Sequence, residues 1–322
     1  MPKVITEDLS LTKNYIPKVS QLPSTSASIA RIYRQIEDRN IHEGRIIDQA
    51  YYQSNYIEHL FTNIGLECLF QINEPIIPRF ILDFYSQVTV QTDDFGFVFI
   101  SFMIQHHFIT LTLAQFGQIL QIPFSGQSAF TNEWDLGALQ CSRPTHGPYV
   151  SEIPSSDEIH QMLGLECVTT TLSSKSKHVS TFENRIPLKE LRHDMRHWEE
   201  LIRENAFGSG EHRDHLLACL AHMLYCIVAE QHYNLAYFFI KRIECARANP
   251  KAYLLYGMFL TRLYNHVIDN YPDLDNSIYQ SSYPTFRLLK QTSKAHSDKG
   301  KSIRPSILVS FSYQEDDDEE DL

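Results

Sequence analysis

The chain has little with which to name a reaction. Its 322 residues contain no P-loop and no dinucleotide-binding fingerprint. Gly126-Gln127-Ser128 and Gly208-Ser209-Gly210 are not the G-x-S-x-G elbow of a serine hydrolase. Asp94-Phe95-Gly96 matches a kinase triplet, yet no glycine-rich loop or H-R-D segment accompanies it. The cysteines at 68, 141, 167, 219, 226 and 245 form no C-x-x-C pair. A chain of this length needs no disulfide staples, so they read as reduced intracellular thiols. The stretch MPKVITEDLSLTKNYIPK has no apolar signal core. The longest apolar run, Leu216 to Ala229, contains His222 and is short of a membrane span. No membrane partner is expected, and the expected location is intracellular, cytoplasmic or nuclear.

Basic charge is scarce as well, with 28 Lys and Arg against 39 Asp and Glu for a formal net charge of −11. The seven acids of Glu315 to Asp321 carry most of it and leave −4 on the remainder. Such a body has no global field to draw in nucleic acid. The local exception runs from Arg287 to Arg304, where Arg287, Lys290, Lys294, Lys299, Lys301 and Arg304 face only Asp298. Ser, Gly and Thr dilute these charges, which favours a solvated linker over a binding patch.

What is present is the material of a folded core. Apolar residues make up 43%, charged residues 21%, and there are 17 Tyr and 19 Phe. Helices are expected over Ser26 to Asp38 and His42 to Ile64. A third opens at Glu74-Pro75, with Ile77, Phe80, Ile81, Phe84 and Tyr85 as its apolar face. Phe95 to Ile104 and Phe108 to Leu111 are aromatic and β-branched, and read as a hairpin turning at Gln105 to His107. Thr112 and Gln115 then form a capping box before a helix that Pro123 ends. Short helices are expected over Thr131 to Leu139 and from the Ser155/Glu158 capping box to Leu163.

In the second half Leu188, Leu191, Met195, Trp198 and Ile202 lie on one helical face, with Arg196–Glu200 and Glu199–Arg203 pairs on the others. Helices follow over Glu211 to Gln231, Asn234 to Ala248 and Tyr253 to Ile268. The expected fold is mainly α (α+β), with one small β-hairpin and a C-terminal antiparallel helix bundle. The expected division is a disordered arm over 1–25, a helical subdomain with the hairpin over 26–168, and a polar loop over 169–181. A helix bundle over 182–286 and a disordered basic-then-acidic tail over 287–322 complete it.

Few residues are candidates for chemistry. His212, His215, Cys219, His222 and Cys226 step by three and four, placing all five on one stripe of one helix. Such residues can hold zinc, but one stripe supplies only two or three ligands in good geometry, and buried Cys and His more often pack than ligate. His193 and His197 on the preceding helix are the only obvious supplement. Asp93 and Asp94 at a strand start read as a turn rather than a polymerase pair. Cys141 and His146 in a proline loop make a weak nucleophile–base pair. No catalytic, cofactor-binding or metal-ligating residue is therefore assigned, and no cofactor or small-molecule substrate is expected.

One stretch carries a family likeness. FITLTLAQFGQILQIPFSG, Phe108 to Gly126, resembles a block of plant transposon-encoded proteins of the retroelement and plant-mobile-domain kind. INEPIIPRFILDFYSQ (Ile72 to Gln87) is similar to that family's preceding helix, and FTNEWDLGALQCSRPTHGPY (Phe130 to Tyr149) to its next block. LIRENAF (Leu201 to Phe207), GEHRDHLLAC (Gly210 to Cys219), MLYCIVAEQHYNLAYFFIKRIE (Met223 to Glu244) and LLYGMFLTRLYNHV (Leu254 to Val267) follow in the same order. The likeness spans about residues 55 to 285. It implies a transposon-derived protein similar to a Gag-like or accessory region, and it carries over no catalytic residue. A zinc knuckle and the D-[ST]-G triplet of an aspartic protease are absent.

The expected function is therefore a non-enzymatic, transposon-derived module for protein–protein contact or self-association. The alternatives are a nucleic-acid-binding accessory protein acting through 287–304, and a metal-dependent enzyme using the stripe from 212 to 226.

Overall fold

A computed structural model of the chain describes residues 27–47, 58–105, 107–165, 184–208, 214–275 and 278–281. The arm 1–25, the loop 169–181 and the tail 287–322 lie outside the described residues. Helices dominate, and one small antiparallel sheet accompanies them.

Helix α1 (Ala27–Ile36) buries Tyr33 and Ile36. The helix expected from His42 is not formed over 42–47. There the chain is irregular and starts from a bridge between Ile41 and Leu254, with the His42 amide donating to the Leu254 carbonyl at 2.7 Å and the Leu254 amide to the Asn40 carbonyl at 3.0 Å. Gly44 has φ +90°, and a Cβ there would sit 2.6 Å from Met258 Cε. Among the described residues of that segment, Glu58–Asn63 is helical, as α2. Short α3 (Cys68–Gln71) follows.

Helix α4 is Pro78–Gln87 and not a helix from Pro75. The ring of Pro78 keeps Ile77 out of the α region, at φ −119° and ψ 84°. Pro78 itself loses nothing at the first helical position. The expected face is buried through Phe80, Ile81, Phe84 and Tyr85.

The expected hairpin is β2 (Val98–Ile104) and β3 (His107–Thr112), paired from Phe99↔Thr112 to Ile104↔His107. A third strand, β1 (Thr89–Thr92), pairs with the other side of β2. Its sequence, TVQT, is short and polar, without the apolar alternation that marks a strand. Asp93 closes the β1–β2 turn, its Oδ1 accepting from the Phe95 amide at 3.0 Å and the Phe97 amide at 2.8 Å. The Thr112/Gln115 capping box opens α5 (Leu113–Leu120), and Ser155/Glu158 opens α7 (Ser156–Met162). Between them α6 is Gly137–Ser142 rather than 131–139. Residues ahead of it serve tertiary contacts instead, the Glu133 carbonyl accepting from the Ala218 amide at 2.9 Å.

The apolar face expected from Leu188 is interrupted. A 3₁₀ turn (Leu188–Glu190) precedes α8 (His193–Ile202), which continues as a π turn over Arg203–Phe207. Then come α9 (Ala218–Val228), α10 (Leu235–Ala248), capped by the Asn234 side chain, and α11 (Gly257–Asn270). Buried side chains from both halves form one continuous core, from Tyr33 and Phe61 through Phe84 and Phe116 to Phe239 and Leu263. Among the described residues no helix is long and apolar enough to cross a membrane.

Candidate interaction surface

The five-residue metal stripe is not built as expected. His212 lies outside the described residues. His215 precedes α9, in an antiparallel bridge to Pro187. The Leu216 amide donates to Ile186 at 2.8 Å and the Leu188 amide to Asp214 at 2.9 Å, so this segment spends its backbone groups on tertiary pairing and is not helical. The His215 ring stacks on Trp134, centroids 6.1 Å apart.

Cys219, His222 and Cys226 do share the buried side of α9. Cys219 Sγ accepts from the Thr131 amide at 3.2 Å, and burial pushes its thiol up to about 12. His222 Nε2 lies 2.5 Å from Gln127 Oε1, and Gln127 in turn donates to Gln231. Because a carbonyl oxygen only accepts, His222 must carry its proton on Nε2. Its Nδ1 meets no partner, and burial lowers the imidazole to about 3. These side chains fill a core. Among the described residues no three His, Cys, Asp or Glu side chains gather to hold a metal ion.

The other sequence candidates stay apart or exposed. His193 and His197 pack edge to face at 4.9 Å on α8. Cys141 is exposed at the end of α6, and no hydrogen bond joins it to His146, whose Nδ1 lies 3.4 Å from Thr145 Oγ1.

Two concave features were not legible beforehand, because distant segments build each. One is a cavity of about 430 Å³ lined by Glu67, Gln71, Gln121, His232 and Arg262 among others. Its guanidinium is already engaged, by Glu74 Oε1 at 3.2 Å and the Leu120 carbonyl at 2.9 Å.

The other is a groove of about 360 Å³ between β3 and α11, walled by Phe108 to Leu111 on one side and Leu263, His266, Val267, Asn270 and Tyr271 on the other. Its end is tied down. Gln105 in the hairpin turn donates to the Leu274 carbonyl at 2.7 Å, and the His107 ring lies 5.5 Å from Tyr271. β3 is an edge strand, since the sheet order is β1-β2-β3. An edge presents backbone donors and acceptors to any extended chain. Large apolar side chains decorate the same sheet: Phe108 is 68% exposed on β3, and Phe95 and Phe97 are 76% and 46% exposed in the β1–β2 turn. Isolated exposed rings are ordinary, but Phe108 lies on an open edge strand that also walls the groove. Comparison with family models, curated proteins and solved structures returned no match.

Proposed function

We infer that this chain is a non-enzymatic, transposon-derived module, Gag-like or accessory, that works inside the cell by associating with protein, including further copies of itself. The observation that carries the reading is the open edge of β3, with exposed Phe108 beside the α11 groove. The ordered likeness to plant retroelement and plant-mobile-domain proteins over residues 55 to 285 points the same way. In this reading residues 182–286 act as an antiparallel helix bundle that backs the sheet. The short connections between α9, α10 and α11 favour it.

Light scattering coupled to gel filtration, at low and moderate salt and with and without RNA, tests it. A defined oligomer indifferent to RNA is expected. A chain that stays monomeric at every concentration would overturn the reading. The basic run from Arg287 to Arg304 supports a second reading, nucleic-acid binding, which requires a monomer shifted by RNA at low salt only.

A further inference from the structure

The open edge of β3 is short, and it is self-complementary. A two-residue turn joins β2 and β3, because Ile104 pairs with His107. The closing pair of such a hairpin exchanges both its hydrogen bonds, and hydrogen-bonded pairs then alternate along the ladder. His107, Ile109 and Leu111 therefore direct their backbone groups to β2. Phe108, Thr110 and Thr112 direct theirs to the open edge. The capping box removes one of these donors, since the Thr112 amide donates to Gln115 Oε1 at 2.9 Å. Among the described residues no acceptor outside the sheet reaches the amides of Phe108 or Thr110. Two free donors remain, with the two carbonyls of the same residues.

We propose that this edge joins two copies of the chain, antiparallel about a two-fold axis at Ile109. The proposal rests on the association reading above. In this register Phe108 of each copy faces Thr110 of the other, and each pair exchanges two backbone hydrogen bonds. All four free amides are satisfied and no unpaired donor is left. Ile109 meets its own counterpart as the close, non-hydrogen-bonded pair on the inner face, beside the groove that α11 walls. On the outer face each exposed Phe108 ring covers a threonine methyl group. Residues 108 to 112 carry no charge, so the strand meets itself without repulsion. The product is a continuous six-stranded sheet, three strands from each copy.

Charge exchange at the two facing positions tests the register. Both side chains are exposed, and the one bond lost is that of the Thr110 hydroxyl to Ser101 Oγ at 2.9 Å, so circular dichroism melting of each variant accompanies the test. The double variants F108K/T110K and F108E/T110E each bring like charges face to face. Each alone should be monomeric in light scattering at low salt, and a one-to-one mixture should restore the dimer. The mixed dimer should weaken as salt rises. If each variant alone associates as the wild type does, the proposal fails while the association reading stands on another surface. If both are monomeric and the mixture stays so, this register is wrong. If the wild-type chain itself is monomeric at every concentration, the association reading fails, and the second copy as occupant fails with it.

Discussion

The phenol oxygen of Tyr85 accepts from the Leu255 amide at 3.1 Å and donates to the Leu255 carbonyl at 3.2 Å. One side chain from α4 thus satisfies both backbone groups of a residue 170 positions away, inside the core. Tyr85→Phe keeps the ring and its packing but strands two buried backbone groups. Stability should fall by about 2–3 kcal/mol, the desolvation cost of leaving them unmet. Urea unfolding should show a lower midpoint at an unchanged slope.

Asn205 performs a similar task from the π turn. Its amide nitrogen donates to the carbonyls of Arg45 at 2.9 Å and Leu69 at 2.6 Å, and its oxygen accepts from the Arg45 amide at 2.6 Å. Asn205→Ala should destabilise by roughly 3 kcal/mol, more than a typical surface substitution. Hydrogen exchange should locate the loosening at residues 41–47 and α3, with less effect on the sheet.

Acid should weaken the fold ahead of any carboxylate. Burial lowers His222 to about 3 and His42 to about 4. The unfolded chain takes up these protons near the ordinary value of about 6.5, and the folded chain does not. Stability from this source is therefore fully present above about pH 6.5 and is lost as pH falls toward the folded values. Each histidine should account for about 2 kcal/mol between pH 7 and 5. His222→Leu should flatten the acid limb measured by denaturant titration, whatever its effect at neutral pH.

Gly126 sits at φ +107°, and a Cβ there would lie 2.2 Å from the His232 carbonyl oxygen. The Gln127 amide donates to that same carbonyl at 2.8 Å, so the two chains cannot separate without losing the bridge. Gly126→Ala should cost at least about 2 kcal/mol, from left-handed strain and backbone displacement together. Circular dichroism melting would read it directly.

Phe108→Ser separates association from folding. The ring is exposed, so the melting temperature should stay close to wild type, within the roughly 0.5 kcal/mol expected of surface changes. The concentration at which the oligomer dissociates should rise at least tenfold. An unchanged oligomer would remove Phe108 from the contact surface.

The amino-acid sequence by itself determined the local grammar of this protein. Thr112 with Gln115 and Ser155 with Glu158 start helices because their side chains reach amides three residues away. Phe80, Ile81, Phe84 and Tyr85 declare a buried face by spacing alone. Tertiary structure decided what spacing cannot encode. His215 left the helical stripe because Ile186 and Leu188 claimed the backbone beside it. The polar β1 became a strand because β2 offered it a ladder. His42 stayed out of a helix, its amide bonded to the Leu254 carbonyl instead. The groove needs Phe108 to Leu111 and Leu263 to Tyr271 side by side, a meeting of distant segments that no local pattern contains. Caps and amphipathic faces are satisfied within one turn of chain, whereas edges, grooves and buried bridges exist only once remote backbone groups compete for the same partners.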